Sequence, residues 1–301
     1  MDLERRTFLR TALAGAGGLV WAGPSLSAGK TRQALWDPFE RASLGKTGVR
    51  VSRVGFGTGM RGGGRQSNQT RLGKVVFEKL LRDAYERGIR FFDLADMYGS
   101  HPFVADALSS VPRESYAIQT KIWVRPGGIP EKERPDADVV VARFLKELKT
   151  DYIDSVLIHC MTDRDWPQRQ RRQMDILARL KEKGLIRAHG VSLHSLAALE
   201  AAVAEPWVDT FNVRLNAYGV NMDDKDPARV AEVVRKARQA GKGVVAMKLI
   251  GEGRFRDDDE KRNESARFVL NTAGADSLVV GFEKIEEVDD YVARVRKIPR
   301  G

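Results

Sequence analysis

Four polar residues that could handle a proton end, or closely follow, apolar runs of the sequence. Asp93 ends FFD, Tyr98 follows it within one turn, Lys121 ends AIQTK and His159 ends VLIH. An isolated phenol has a pKa of about 10, so a tyrosine is a poor acid or base near neutral pH. A neighbouring ammonium favours the phenolate, and a buried ammonium in turn needs a carboxylate. We therefore expect Lys121 to lower the pKa of Tyr98, and Asp93 to balance the charge of Lys121.

The remaining side chain, His159, could hydrogen-bond a carbonyl oxygen held close to the tyrosine. Together the four groups suit protonation of a developing alkoxide, which is half of a carbonyl reduction. The other half is transfer of a hydride, which no side chain supplies, so the chemistry implies a nicotinamide cofactor. Taken singly, Lys121 could be a lysine that only reaches solvent, and His159 could be a rim residue without a catalytic role. Four compatible groups on three successive predicted strands favour the catalytic interpretation.

The pattern around these residues alternates strands with helices and predicts a (β/α)8 TIM barrel. Segments 75–88 and 137–149 have helical periodicity. The eight predicted strands are 52–58, 89–95, 116–122, 154–160, 186–192, 211–217, 243–249 and 276–282. A hairpin that turns at 46–48 is expected to cap the bottom of the barrel. Because polar groups at strand C-termini converge on one face of such a barrel, the fold would bring the four side chains together.

A doubly wound open sheet is the alternative fold. It would need a glycine-rich phosphate turn that leads directly into a helix. The stretch 55–64, GFGTGMRGGG, is rich in glycine, but the next helix is predicted to begin near Leu72 or later. The count of eight strands therefore favours the barrel.

The chain resembles the aldo-keto reductase family in the order of five motifs: GFGT, FFDLADMYG, TKIW, DYIDSVLIH and GVS. The resemblance begins near residue 44 and implies NAD(P)-dependent reduction of an aldehyde or ketone to an alcohol, or the reverse. It implies that Tyr98 is the general acid and that Lys121 activates it. It also implies that Asp93 pairs with Lys121 and that His159 orients the substrate. Asp96 would shape the loop that presents Tyr98.

The resemblance also implies an extended NADP(H) or NAD(H) across the strand C-termini. Seven residues would contact it: Gly57 and Thr58 beside the nicotinamide ribose, Ser192 and Asn212 at the carboxamide, Met247 against the ring, and Lys284 and Glu287 near the adenosine phosphate. The family's usual Ser-Asn pair is Ser192-Leu193 here, so one amide contact is missing unless His194 supplies it. Carboxylates near Glu287 suit a ribose hydroxyl better than a phosphate, so NAD(H) and NADP(H) are expected about equally as the cofactor. No metal ion is expected.

Three further side chains are predicted to line the substrate pocket. Trp123 would form a wall, His101 would touch substrate directly after the Tyr98 loop, and Trp166 would line the entrance. Cys160 lies next to His159 in the chain. Strand alternation points it away from the site, so no nucleophilic role is expected.

Residues 1–28 have the pattern of a bacterial twin-arginine export signal. ERRTFLR is followed by an apolar run and by small residues near Ala28. An amphipathic N-terminal helix is the alternative. The sequence thus predicts a signal over 1–28, a linker over 29–42 and the barrel over 43–301. We expect export to the periplasm by the twin-arginine machinery, no stable membrane span after processing, and tight retention of the cofactor, because free nucleotide should be scarce outside the cytoplasm.

The 301-residue chain carries a formal charge of +10 and one cysteine. No nucleic-acid-binding motif accompanies this charge, so we expect a solvated basic surface, a small carbonyl or alcohol substrate and no nucleic acid. A single thiol excludes an internal disulfide. Two other functions stay open: a cofactor-bound binding or sensory subunit with little turnover, and a hydrolytic metal site built from Asp93, Asp96 and His159.

Overall fold

Eight parallel strands close into a barrel in the computed structural model, which describes residues 33–301. The strands are β1 (Arg41–Ser43), β2 (Arg50–Ser52), β3 (Val54–Gly57), β4 (Phe91–Asp93), β5 (Ala117–Ile122), β6 (Ile153–Met161), β7 (Ile186–Leu193), β8 (Thr210–Arg214), β9 (Gly243–Met247) and β10 (Ser277–Gly281). Strands β3 to β10 pair in chain order, and β10 closes the ring on β3. The predicted (β/α)8 barrel is confirmed, and each predicted strand overlaps an observed one.

Helices surround the barrel and cover its outer face. They are α1 (Asn68–Arg71), α2 (Lys74–Glu86), α3 (His101–Ala107), α4 (Ala137–Leu148), α5 (Trp166–Arg169), α6 (Arg171–Glu182), α7 (Leu196–Ala204), α8 (Pro227–Gln239), α9 (Asp259–Arg267) and α10 (Ile285–Val295). In α2 the residues Phe77, Leu80, Leu81 and Ala84 are buried, at the spacing of one helical face. The helix packs against the strands through this apolar face, as the periodicity of 75–88 predicts.

The hairpin β1–β2 closes one end of the barrel, as predicted. Its strands are antiparallel, and its apolar side chains share a buried cluster with the barrel interior: Leu44, Val49, Val51, Phe91, Ala117, Val245 and Val279. Gly45 has φ +56°, and a Cβ there would overlap the backbone at Gly243, so only glycine allows this approach. Gly243 begins β9, which places the hairpin at the N-terminal end of the strands. The opposite, C-terminal end is left for the polar residues.

The predicted signal over residues 1–28 and the first part of the linker lie outside the described residues. The rest of the linker belongs to the folded unit, which begins at Ala34. Leu35 bridges to Pro299, and the Trp36 backbone N–H donates to the carbonyl oxygen of Ile298 at 3.0 Å. Within residues 33–301, no helix is both long and apolar enough to cross a membrane.

Candidate active site

A buried ion pair lies at the C-terminal end of neighbouring strands β4 and β5. The Lys121 ammonium donates to both carboxylate oxygens of Asp93, at 2.6 and 2.7 Å, and to the carbonyl oxygen of Leu94 at 2.8 Å. Only 1% of Lys121 is exposed. Burial lowers the pKa of Lys121, while the Asp93 carboxylate opposes that shift. The predicted contact between Asp93 and Lys121 is present, and together with the bond to Leu94 it uses all three ammonium protons.

The side-chain amides of Gln119 and Asn212 also hydrogen-bond the Asp93 carboxylate. The Gln119 amide nitrogen donates to Asp93 Oδ1 and to Asn212 Oδ1, each at 2.7 Å, and Asn212 Nδ2 lies 3.3 Å from Asp93 Oδ1. The Thr58 hydroxyl bonds the Asp93 carbonyl oxygen at 3.0 Å. Asn212 and Thr58 are fully buried, and their side chains support Asp93, while their predicted cofactor contacts stay predictions. Sequence reasoning missed Gln119, although alternation from Lys121 puts it on the same inward face.

Tyr98 lies above this ion pair on a short 3-10 helix over Asp96–Tyr98. The Lys121 nitrogen is 5.2 Å from the centre of its ring. The phenol makes no hydrogen bond to any residue that the structure describes. Burial, then the charges of Asp93 and Cys160, raise the pKa of Tyr98 above its ordinary value. The net shift of this pKa is therefore upward and not downward as expected, because the Lys121 ammonium does not offset burial, and Tyr98 stays protonated at neutral pH.

Two glycines form the cradle for the Tyr98 ring. A Cβ built on Gly59 or on Gly62 would overlap ring atoms of Tyr98. The glycine-rich stretch after β3 therefore allows its backbone to pass against an aromatic ring. Its composition alone could not distinguish this role from a phosphate turn.

His159 lies beside Tyr98 at the end of β6. Its ring meets Tyr98 edge-on at 5.7 Å and Trp123 at 5.2 Å between ring centres. Burial first, and the nearby cations next, hold the pKa of His159 well below its usual range, so the imidazole is neutral. The Trp123 indole donates to the Gly127 carbonyl oxygen at 2.6 Å, which fixes the ring beside His159. Trp123 thus lies beside His159, and its role as a pocket wall stays a prediction.

The chain departs from strand alternation at Cys160. Its φ is +67°, and the β6–β7 register shifts between Ile158 and Met161. Its backbone N–H donates to the Ser192 hydroxyl at 2.9 Å. The sulfur lies 3.2 Å from Arg125 Nη1 and 3.3 Å from His194 Nδ1. The prediction from alternation is wrong here, because the bulge turns the thiol toward polar groups next to His159.

Two predicted pocket residues lie elsewhere. His101 is 1% exposed and bonds Thr120 Oγ1 at 2.7 Å and Glu147 at 2.9 Å, between the barrel and α4. Trp166 is also 1% exposed, and its indole donates to the Ala198 carbonyl oxygen on α7 at 3.2 Å. Neither side chain can contact a substrate, because each is enclosed by the helix layer.

The proposed ligands of a metal ion do not converge. Asp93 pairs with Lys121. The Asp96 carboxylate instead accepts hydrogen bonds from Arg65 Nε at 3.0 Å and from Arg143 Nη2 at 2.7 Å. Over residues 33–301, no three acidic, histidine or cysteine side chains come together as a metal-binding group. The metal-site interpretation of Asp93, Asp96 and His159 is therefore wrong.

Comparison with known proteins agrees with this geometry. The family model described as "Aldo/keto reductase family" matches residues 53–267. This chain belongs to the aldo/keto reductase family. It is therefore an NAD(P)-dependent oxidoreductase that acts on carbonyl groups.

Individual relatives of this aldo-keto reductase are distant. Aldo-keto reductase AFTS1 of Alternaria alternata is 25% identical over 311 residues, which cover 93% of this chain and 83% of that protein. The NADH-specific methylglyoxal reductase of Escherichia coli is 30% identical over 173 residues, 51% of this chain and 52% of that one. A crystal structure of a Pseudomonas aeruginosa protein described as an aldo-keto reductase matches with a TM-score of 0.69 at 25% identity, covering 88% of this chain and 97% of that one.

The predicted adenosine end of the cofactor site lies at the start of α10. No side chain caps this helix, so its first N–H groups suit an anion such as a phosphate. Glu287 accepts from the Glu283 N–H at 2.8 Å, and Arg256 pairs with Glu283 at 2.8 Å. Sequence reasoning found only Lys284 as a cation here, because Arg256 comes from the loop after β9. Arg256 offsets part of the acidic charge, and the choice between NAD(H) and NADP(H) stays a prediction.

The nicotinamide end of the cofactor site is less fully defined by contacts. Gly57 ends β3, and a Cβ there would crowd Val279. Met247 ends β9 and is half-buried. Ser192 is fully buried, and its hydroxyl accepts from Cys160 while keeping its own proton for a second bond. Cofactor contacts of Gly57, Met247 and Ser192, like those of Lys284 and Glu287, stay predictions.

Proposed function

We propose that this aldo-keto reductase reduces an aldehyde or ketone with NADH or NADPH, and runs the reverse oxidation, with Tyr98 as the general acid and base. The observation that carries the proposal is the Tyr98 phenol, which is protonated, unbonded within residues 33–301, and set between His159 and the Lys121–Asp93 pair. A bound nicotinamide would supply the hydride. The protein residues must then place the carbonyl group and provide one proton.

The proton transfer follows from the charges around the phenol. The carbonyl oxygen becomes an alkoxide as its carbon is reduced, and an alkoxide is a much stronger base than a phenolate. Tyr98 can therefore give up its proton even with a raised pKa. The Lys121 ammonium, 5.2 Å from the ring, stabilises the phenolate that remains, because attraction is strong in a buried site. Asp93 keeps that ammonium in place and charged.

His159 fits a positioning role better than an acid role. Its imidazole is neutral, so it can donate one hydrogen bond to the carbonyl oxygen without competing to deliver the proton. Trp123 packs against it edge-on and holds the ring orientation. A carbonyl oxygen between the imidazole and the phenol could then accept a hydrogen bond from each.

The test is turnover by the purified protein with NADH and with NADPH, using methylglyoxal and simple aldehydes, followed by loss of reduced nicotinamide. We expect Tyr98→Phe to lower kcat by roughly 10²- to 10⁴-fold with nucleotide affinity unchanged, because it removes only the proton donor. Tyr152→Phe is the matched control, since the Tyr152 hydroxyl is buried without a partner in residues 33–301. It should keep full activity.

Two outcomes would contradict the proposal. Unchanged turnover by Tyr98→Phe would show that the proton comes from another group. Nucleotide binding by the wild-type protein without reduction of any carbonyl compound would favour the cofactor-bound sensory subunit.

A further inference from the structure

Several cations surround the two histidines at the mouth of the barrel. The cations that lower the pKa of His159 or His194 are Lys121, Lys248, Arg214 and Arg125. Three of them have a carboxylate of their own: Lys121 has Asp93, Lys248 has Glu252 and Arg214 has Asp223. Arg125 forms no ion pair with any residue over 33–301. The site therefore contains one half-buried positive charge whose counter-charge the described chain does not provide.

The guanidinium of Arg125 is held in place by the residue after His159. Its Nη1 donates to the Cys160 carbonyl oxygen at 2.8 Å and to the Cys160 sulfur at 3.2 Å. Its Nε and Nη2 make no hydrogen bond to a described residue, and neither atom is buried. Arg125 thus keeps two free donors on a fixed group beside the catalytic face.

The same sulfur also orients His194. Because a guanidinium can only donate, Cys160 Sγ accepts from Arg125 and has its own proton for His194 Nδ1, 3.3 Å away. Burial lowers the pKa of His194 to about 3, so the ring is neutral and then carries its one proton on Nε2. That nitrogen has no partner among residues 33–301 and is not buried. The relay Arg125–Cys160–His194 therefore presents donors at both of its ends.

We propose that Arg125, with His194, binds a carboxylate of the substrate, so that the preferred substrates are short oxo acids and semialdehyde acids. This inference rests on the proposed carbonyl reduction. A carboxylate matches the forked donors of a guanidinium, and it would supply the missing counter-charge of Arg125. The strained backbone at Cys160, with φ +67°, is then explained, because it places the sulfur where it can orient both donors.

The test compares each acid with its own ester. Succinic semialdehyde and phenylglyoxylate are assayed beside their methyl esters, with wild-type protein and with Arg125→Gln. We expect Arg125→Gln to raise the KM of the acids roughly 10- to 100-fold, the effect of losing a charge-assisted hydrogen bond of about 1.5–3 kcal/mol. The KM of the esters should change by less than about twofold, since an ester has no carboxylate to pair with the Arg125 charge. Arg125→Lys should recover part of the loss.

Two controls separate the subsite from other causes. Arg235→Gln removes the same charge from the exposed face of α8 and should leave the KM of both the acids and the esters unchanged. Binding is measured without turnover by titrating cofactor-loaded protein with succinate, following tryptophan fluorescence, and Arg125→Gln should weaken it to a similar extent as the KM. Nucleotide affinity should not change, which excludes a cofactor phosphate as the ligand of Arg125.

The other possible outcomes distinguish failure of the carboxylate site from failure of the proposed function. Equal losses on acid and ester would show that Arg125 only supports the backbone at Cys160, and the proposal would be overturned. No preference for the acids in the wild-type protein would overturn it as well, while leaving the carbonyl reduction intact. Failure to reduce any carbonyl compound, with succinate binding still dependent on Arg125, would instead count against the proposed function alone.

Discussion

Asp93 and Asp96 stand three residues apart and lie in two different regions of the molecule. Asp93 points into the barrel and pairs with Lys121, whose side chain is 1% exposed. Asp96 points outward and is bound by Arg65 and Arg143, whose side chains are 34% and 32% exposed. The two carboxylates themselves are almost equally buried. The difference between the regions thus comes from their partners and not from the aspartates.

The partners decide what each carboxylate does. Inside the barrel, Asp93 keeps a positive charge buried beneath the Tyr98 ring, where electrostatic effects on the phenolate are strong. Outside, Asp96 links Arg65 in the glycine loop and Arg143 on α4 to the short helix that carries Tyr98. The inner carboxylate sets the charge at the site, whereas the outer one fixes the loop geometry. Substitutions in the two regions should therefore separate an effect on chemistry from an effect on stability.

The largest expected effect is from Asp93→Asn. It leaves the Lys121 ammonium buried without a counter-charge, and breaking such a pair costs roughly 3–5 kcal/mol of unfolding free energy. Burial already lowers the pKa of Lys121, and without Asp93 that pKa should fall further, so the site should lose positive charge. We expect kcat to fall about 10²- to 10³-fold, because the phenolate left by Tyr98 is no longer stabilised. Steady-state kinetics and thermal unfolding measure the two effects.

A second variant keeps this prediction testable if Asp93→Asn does not fold. The double change Asp93→Asn with Lys121→Met removes both charges and should recover much of the stability. Its kcat should stay as low as that of the single variant. Recovered activity in the double variant would show that the ion pair serves folding only.

The next effect concerns the glycine cradle that joins the two regions. In Gly59→Ala the new methyl group would overlap the Tyr98 ring, which must then move. A shift of about 1 Å in a catalytic group can cost about 10²-fold in rate, so kcat should fall by that order while the fold persists. Gly63→Ala is the matched control in the same loop, since a Cβ there meets no atom within 4 Å. Equal activity of the two variants would contradict the cradle.

The sequence was informative where strands alternate regularly. FFD, AIQTK and VLIH each end at the same face of the barrel, so the meeting of Asp93, Lys121, Tyr98 and His159 could be predicted from the pattern and the family resemblance together. The hairpin and the eight strands followed from the same periodicity. Gln119 could have been found as well, because it precedes Lys121 by two residues on the same strand face.

Other parts of the site depend on features that a sequence pattern does not contain. The bulge at Cys160 reverses the direction that alternation gives. His101 follows the Tyr98 loop directly, yet it begins α3, and that helix turns it toward Glu147. Arg256 reaches Glu283 from a loop 27 positions earlier in the chain. Such contacts are set by tertiary packing, so residue type and local spacing could not predict them.

The smallest effect on activity is expected from Asp96→Asn. The amide keeps one acceptor for Arg65 or Arg143 but turns an NH₂ group toward the other arginine. Because both arginines are about one-third exposed, water can replace part of the lost interaction, and we expect a loss of about 1–3 kcal/mol of unfolding free energy. The kcat should fall less than about fivefold, since Gly59 and Gly62 still hold the Tyr98 ring. Asp289→Asn, in an exposed pair with Arg87, is the control and should lose no more than about 1 kcal/mol. If Asp96→Asn lowered kcat as far as Asp93→Asn, the outer carboxylate would act on the chemistry, and the division between the two regions would be wrong.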